Sequence, residues 1–140
     1  MTKVGLVIAV ALLGACASAS LPKPIKYWCA QSAPTFVSSA VKAFEANGYQ
    51  VRSTDIARGE VTGFKPEKIF MIGDSPVRAG PYLVTARLHR DTMTVLVFTV
   101  KEDGVTPERS WDETATDEFE KSQYMPLLSD LRALCRPPAP

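Results

Sequence analysis

The fold of this chain is decided by residues 82–101, YLVTARLHRDTMTVLVFTVK. Apolar and mostly polar side chains alternate from residue 82 to residue 89, which is the period of a half-buried β-strand. The polar residues 90–92 turn the chain, and residues 93–101 are apolar at nearly every position, which is typical of a central strand covered on both faces. Two strands joined by so short a turn are antiparallel neighbours. The sequence therefore predicts an antiparallel sheet built around this pair.

A helix is predicted upstream of the pair, over residues 33–47. Ser32 is placed to cap its start, because a serine hydroxyl accepts hydrogen bonds from the free N–H groups of a first turn. Asn47-Gly48 is a strong stop signal, since glycine readily adopts the left-handed conformation that closes many helices. The apolar residues fall on one face at helical spacing; they are Phe36, Val37, Ala40, Val41 and Phe44.

Two shorter strands are expected between this helix and the central pair, over residues 49–54 and 60–64. Residues 65–81 are expected to be irregular, because glycine and proline punctuate them. Inside them, the apolar run IFMI at residues 69–72 has two interpretations that stay open: a short strand, or a loop tucked into the core.

A second helix is predicted over residues 116–135, with Thr114 or Thr116 as its cap and acidic residues in its first turn. Pro126 lies inside it and lacks the N–H that a helix needs, so we expect a kink or a division into two short helices. The element order is helix, four strands, helix. This order predicts an α+β domain in which both helices pack on one face of a four-stranded antiparallel sheet.

The start of the chain predicts export. Lys3 precedes an apolar run over residues 4–13, and two small residues precede Cys16, an arrangement typical of a secretory signal peptide. The motif Leu13-Gly14-Ala15-Cys16 resembles the lipobox of bacterial lipoproteins, whose cysteine is lipidated and becomes the first residue of the mature chain. Two alternatives remain. One is a transmembrane helix, for which the run falls short of the roughly 20 residues that a span needs; the other is an ordinary signal peptide cut after Ala19.

The lipoprotein resemblance divides the chain into four parts. It implies that residues 1–15 are cleaved as the signal peptide, and that Cys16 carries the lipid that ties residues 16–28, the tether, to a membrane. A single domain then covers residues 29–135, and residues 136–140 form a disordered tail. Ala17 rather than aspartate follows the cysteine, which by the sorting rule of enterobacterial lipoproteins favours the outer membrane, with the domain facing the periplasm.

Cysteine usage agrees with export. With Cys16 lipidated, two cysteines remain, Cys29 and Cys135, one at each end of the predicted domain. In the oxidising periplasm such a pair is most simply a disulfide. Two buried free thiols are the alternative.

Charge balance and the chemistry-bearing residues argue against several functions. The chain has 16 basic and 15 acidic side chains, and this neutral balance gives no attraction to nucleic acid. The one histidine, His89, has no catalytic partner at a suitable spacing, so a solvated strand histidine is the simpler interpretation. The cysteines are too far apart in sequence to suggest a metal site. We therefore expect no catalytic residue, metal or cofactor.

Two features support weak binding hypotheses. The acid-rich stretch, residues 102–120, is either a solvated face or a docking surface for a basic partner, and Trp111 within it is either an interaction hot spot or a core anchor. The apolar side chains of Ile69, Phe70 and Ile72 are candidates for lining a ligand cleft.

The function expected from these features is that of a non-enzymatic envelope lipoprotein, an accessory or assembly subunit that presents a small domain to a protein partner. Its size and element order are similar to those of small accessory lipoproteins of outer-membrane assembly systems, a resemblance of architecture that includes no residue motif. The alternative is a periplasmic binding module that holds a lipid or a cell-wall fragment in a cleft between sheet and helices.

Overall fold

The computed structural model describes residues 21–136. The predicted signal peptide, Cys16 and residues 137–140 of the predicted tail lie outside the described residues. Two helices and eight strands are found in the described range. In chain order they are β1 (Ile25–Trp28), α1 (Ala33–Ala46), β2 (Gln50–Asp55), β3 (Glu60–Lys65), β4 (Lys68–Ile72), β5 (Ser75–Ala79), β6 (Tyr82–His89), β7 (Thr92–Val100), β8 (Pro107–Trp111) and α2 (Glu118–Cys135).

The sheet is antiparallel throughout and has the order β1-β7-β6-β3-β2, with β8 also paired to β7. Because β6 occupies one edge of β7, β1 and β8 share the other: β1 pairs with residues 92–95 and β8 with residues 97–100. The α+β class and the antiparallel sheet are confirmed. The predicted strand number is wrong, because the sheet has six strands rather than four, and β4 and β5 form a separate two-stranded sheet.

The core lies between one face of the sheet and both helices. Val84 pairs with Val97 and Ala86 with Val95, and all four are fully buried. α1 packs against β2, β3, β6 and α2, and α2 also contacts β1. The expectation that β7 is covered on both faces is wrong. On the sheet face away from the helices, its side chains are half-exposed and lie beside cross-strand neighbours, as Phe98 lies opposite Leu83.

The start and end of α1 match the sequence prediction. Ser32 is the N-cap, and its hydroxyl accepts a hydrogen bond from the N–H of Thr35 at 3.3 Å. The helix ends before Gly48, whose φ of +81° is the left-handed conformation that glycine adopts without steric cost. Tyr49 then folds back so that its ring meets Phe44 edge-on, with 5.7 Å between centroids.

α1 lies unusually close to β3 at Gly63. A Cβ built on this glycine would lie 2.3 Å from Cδ1 of Phe44, whose side chain is fully buried. The missing side chain therefore makes room for the aromatic ring of the helix above it.

α2 is capped by Asp117, not by Thr114 or Thr116. The Asp117 carboxylate accepts hydrogen bonds from the N–H groups of Phe119 and Glu120 at 3.0 and 3.1 Å. The helix runs without interruption past Pro126, so it is not divided into two short helices. Its buried leucines lie just beyond the proline, and their packing offsets the one hydrogen bond that the proline removes. They are Leu127, Leu128 and Leu131.

The disulfide is confirmed. Cys29 and Cys135 are bonded across 106 residues of sequence, with 4.3 Å between their Cα atoms, and both are buried. The bond joins the residue after β1 to the last residue of α2.

The described part of the tether already belongs to the domain. Residues 25–28 form β1, and upstream the N–H of Lys23 donates to Oγ of Ser110 at 2.9 Å. Arg136, assigned to the tail by the sequence, is the C-cap of α2. Among the described helices, none is long and apolar enough to cross a membrane.

Candidate interaction surface

Trp111 is a core anchor and not an exposed hot spot. Its side chain is buried against Tyr124 of α2, with 6.5 Å between ring centroids. Its indole N–H donates to the hydroxyl of Thr99 at 3.3 Å, and the Arg109 guanidinium lies 4.0 Å over its ring. Trp111 therefore packs at the end of the core, between β8 and α2.

The acid-rich stretch is used largely within the fold. Asp103, Asp112 and Asp117 each accept main-chain hydrogen bonds that shape a turn or cap α2. Glu113 and Glu120 accept hydrogen bonds from tyrosine hydroxyls. Glu118 lies 3.9 Å from the Lys121 ammonium. Six of the eight carboxylates in the stretch thus have internal partners, which weakens the hypothesis of a docking surface for a basic partner.

Hydrogen bonding also sets the acidity of two of these groups. The hydroxyl and N–H of Thr106, together with the N–H of Val105, hold the pKa of Asp103 to about 2. The hydroxyl of Thr114 is the main group that lowers the pKa of Asp112.

Four tyrosine hydroxyls reach α2 or the loop before it. Tyr82 donates to Glu120 and Tyr27 to Glu113, while Tyr124 donates to the carbonyl of Asp112 at 2.8 Å and Tyr49 to that of Gln123 at 3.2 Å. Burial is the main cause that raises the pKa of all four tyrosines, to about 12 for Tyr27 and Tyr124.

The β4–β5 hairpin is where apolar side chains are exposed. Its strands are joined by a two-residue turn at Gly73-Asp74, and Gly73 has a φ of +62°. Phe70 meets Phe119 of α2 edge-on, with 5.3 Å between ring centroids. Phe70 is paired with the half-buried Val77 on the same hairpin face. The hairpin thus packs against the start of α2 mainly through the contact of Phe70 with Phe119.

The rest of β4 is turned to solvent. Ile69, Met71 and Ile72 are 59%, 64% and 58% exposed. The expectation of an irregular segment over residues 65–81 is wrong. Of the two interpretations of residues 69–72, the short strand is the one found, and these side chains are not tucked into the core.

Charged side chains lie at the end of the hairpin away from its turn. Arg78 lies 3.5 Å from the Glu67 carboxylate, and the Lys68 ammonium lies 5.8 Å from the centre of the Phe70 ring. The exposed apolar side chains toward the turn therefore form a patch with a polar rim, an arrangement typical of interaction sites.

A shallow concavity of about 470 Å³ lies on the sheet face opposite the helices. Between sheet and helices, where the sequence suggested a cleft, the space is filled by large, fully buried side chains such as Tyr82, Phe36 and Phe44. His89 lies in the concavity and is exposed. The concavity is lined by Glu60, Thr85, Arg87, His89, Thr94 and Leu96.

Within residues 21–136, no group of three or more His, Cys, Asp or Glu side chains is placed to hold a metal ion.

Comparison with known proteins finds similarity at the level of structure. No protein-family model and no curated protein matches this chain. A crystal structure of a DUF4468 family protein from Bacteroides ovatus is similar over 88% of this chain and 95% of that chain, with 11% sequence identity and a TM-score of 0.48. A similarity of this extent assigns neither a family nor a function.

Proposed function

We propose that this chain is a lipid-anchored protein of the bacterial envelope that presents the β4–β5 hairpin to a protein partner and performs no catalysis. The observation that carries the proposal is the exposure of three neighbouring apolar side chains on β4. Leaving large apolar side chains in water forfeits about 1.5–3 kcal/mol for each one. A contact with another protein is the simplest reason to keep them there.

The proposed anchor holds the domain close to the membrane. If lipidated Cys16 is the first residue, residues 17–22 span at most about 25 Å before the chain meets β8 at Lys23. A partner that the hairpin contacts is then a protein in or beside the same membrane, and the outer membrane remains our proposal for that membrane. The disulfide supports export to an oxidising compartment.

The alternative, a binding module for a lipid or a cell-wall fragment, has less support. The filled core leaves the open concavity on the far side of the sheet as its site. An open concavity buries little of a lipid chain, whereas ligand pockets usually bury most of the ligand surface.

Site-specific photo-crosslinking in intact cells tests the proposed function. A photoreactive amino acid at Met71 is expected to form a covalent product with another envelope protein. The same probe at Ile56, an equally exposed apolar residue in the β2–β3 turn, serves as the matched control. Equal crosslinking at the two positions, or none at Met71, would contradict a role for the hairpin.

The anchor is tested separately with Cys16→Ser. This variant is expected to lose acylation, measured by mass spectrometry, and to leave the membrane fraction with its domain still folded. Retention of lipid by the variant would show that Cys16 is not the attachment site.

A further inference from the structure

We infer that the outer edge of β4 pairs with the same edge of a second copy of this chain, so that two hairpins join into one four-stranded antiparallel ribbon. The inference goes beyond the proposed function, because it identifies the molecule that covers this edge and does not depend on the lipid anchor.

The hairpin geometry places free main-chain groups along β4. A two-residue turn makes Ile72 and Ser75 a hydrogen-bonded pair, and pairs alternate from there along an antiparallel ladder. Met71 therefore faces Pro76 in a pair without mutual hydrogen bonds, which fits the missing N–H of the proline. The N–H and C=O groups of Ile69 and Met71 point away from β5, toward the outer edge.

The outer edge of β4 is less protected than the other strand edges. Proteins protect free edges with prolines, bulges, charges or very short strands. β5 has Pro76, β8 begins at Pro107, β2 has a bulge near Arg52, and β1 is only four residues long. β4 has Lys68 at its start and is apolar from there to the turn.

The hairpin is also an incomplete sheet by itself. Isolated two-stranded ribbons are marginal in water, and further strands or a packed helix are needed for independent stability. α2 supports one face through the contact of Phe119 with Phe70, whereas no strand within residues 21–136 pairs with the outer edge of β4. A second β4 strand would supply the missing neighbour.

The sequence of β4 is complementary to itself in one register. A twofold axis at Phe70 overlaps all five residues and places Ile69 opposite the second copy's Met71, where each such pair exchanges two main-chain hydrogen bonds. Lys68 then lies opposite the second copy's Ile72, so no like charges meet. The two Lys68 positions are about 14 Å apart along the strands, beyond the Debye length of about 8 Å at physiological salt.

Pairing in this register enlarges the apolar patch. Ile69 and Met71 of both copies lie on the same ribbon face, because alternate residues of a strand share a face. Five paired residues make a small interface, so the association is weak and rises with concentration.

A symmetric cysteine crosslink tests the register in the purified full-length chain, solubilised in detergent and treated with a mild oxidant. Phe70→Cys places two cysteines in a non-hydrogen-bonded pair with Cα atoms about 4.5 Å apart, which a disulfide spans. Val77→Cys is the matched control: it lies on the same hairpin face, but three strand spacings, about 14 Å, separate the two copies of residue 77. We expect at least about tenfold more covalent dimer from Phe70→Cys, read on a non-reducing gel.

Two proline substitutions in the Phe70→Cys background separate edge pairing from random collision. Met71→Pro removes an outward N–H from β4 and is expected to abolish the crosslink. Arg78→Pro removes an outward N–H from β5 and is expected to leave the yield unchanged. The inference is overturned if the yields of Phe70→Cys and Val77→Cys are equal, or if Met71→Pro has no effect. The proposed function would survive either failure if Met71 still crosslinks to another envelope protein in cells.

Discussion

Removing the Cys29–Cys135 bond is expected to take away a large part of the stability of the domain. The bond closes a loop of 106 residues, and a crosslink stabilises chiefly by reducing the conformational entropy of the unfolded chain. The chain-entropy relation gives about 4.8 kcal/mol at 25 °C for a loop of this length. Domains of this size have unfolding free energies of about 5–15 kcal/mol in total.

The change is best measured by urea denaturation of the oxidised protein, the reduced protein and the Cys29→Ala/Cys135→Ala variant. With a slope of about 2 kcal/mol per molar urea, the midpoint should fall by about 2.4 M on reduction. Fluorescence of the buried Trp111 reports unfolding. The double variant also loses the contact of the Cys135 sulfur with Met93 at 3.8 Å, so its further loss relative to the reduced protein measures packing alone.

The reasoning is refuted if reduction costs less than about 1.5 kcal/mol while circular dichroism shows that the native fold is retained. Such a result would mean that the unfolded chain is already compact, and that closing the loop adds little constraint. A loss of stability in the double variant but not on reduction would assign the effect to packing.

Three further predictions concern the core, α2 and alkaline pH. Gly63→Ala should destabilise the domain by about 1–3 kcal/mol, because its Cβ would collide with the buried Phe44 ring. The control Gly73→Ala, whose Cβ meets nothing within 4 Å, should cost only the strain of its positive φ, about 1 kcal/mol. Equal losses of unfolding free energy for the two variants in urea melts would contradict the close approach of Phe44 to Gly63. Asp117→Ala should cost about 1 kcal/mol and Thr116→Ala close to none, because Asp117 provides the cap; the reverse order would place the cap at the threonine. All four tyrosines ionise at higher pH in the folded chain than near 10 in the unfolded one, so their contribution to stability is complete below pH 10 and declines above it. The contribution of Tyr27 and Tyr124 is lost as pH rises through about 12; urea melts from pH 9 to pH 12 should show this decline, and a flat profile would exclude it.

The elements that were predictable from sequence are those whose pattern repeats over many residues. β6 and β7 bury alternate side chains against the helices, and that alternation is visible in residues 82–101. α1 carries its own start and stop signals at Ser32 and Gly48, and both act locally. The disulfide was predictable because the predicted lipidation of Cys16 leaves two cysteines without other roles in an exported chain.

The elements that were missed take their structure from neighbours. β1 has four residues and β8 is mostly polar and exposed, so neither shows a buried period; both form because β7 offers them an edge. In the hairpin, Pro76 suggested irregular structure, yet a proline is tolerated where its nitrogen faces away from the paired strand. The cap of α2 was misplaced because acidic residues were expected only inside the first turn, whereas Asp117 precedes that turn and its carboxylate accepts hydrogen bonds from it.

For the candidate interaction surface, sequence reasoning placed the apolar run of residues 69–72 wrongly. Ile69 and Ile72 were expected to line a cleft, and they lie on an exposed strand. An apolar run indicates side chains that favour burial, but it does not indicate whether the core of the same chain or another molecule would cover them. Trp111 shows the converse, since an aromatic residue in an acidic loop folded into the core.

The position of the disulfide also determines how the domain responds to mechanical force. Tension applied between residues on either side of the bond, such as 23 and 136, passes along β1, through the sulfur–sulfur bond and out of α2. Once β1 has separated from β7 and Lys23 from Ser110, residues 30–134 bear none of that load. In a pulling experiment with handles at the two chain ends, the oxidised protein should lengthen only by the residues outside the bond. Reduction should add about 370 Å of extensible contour, roughly 3.5 Å for each of the 106 residues released.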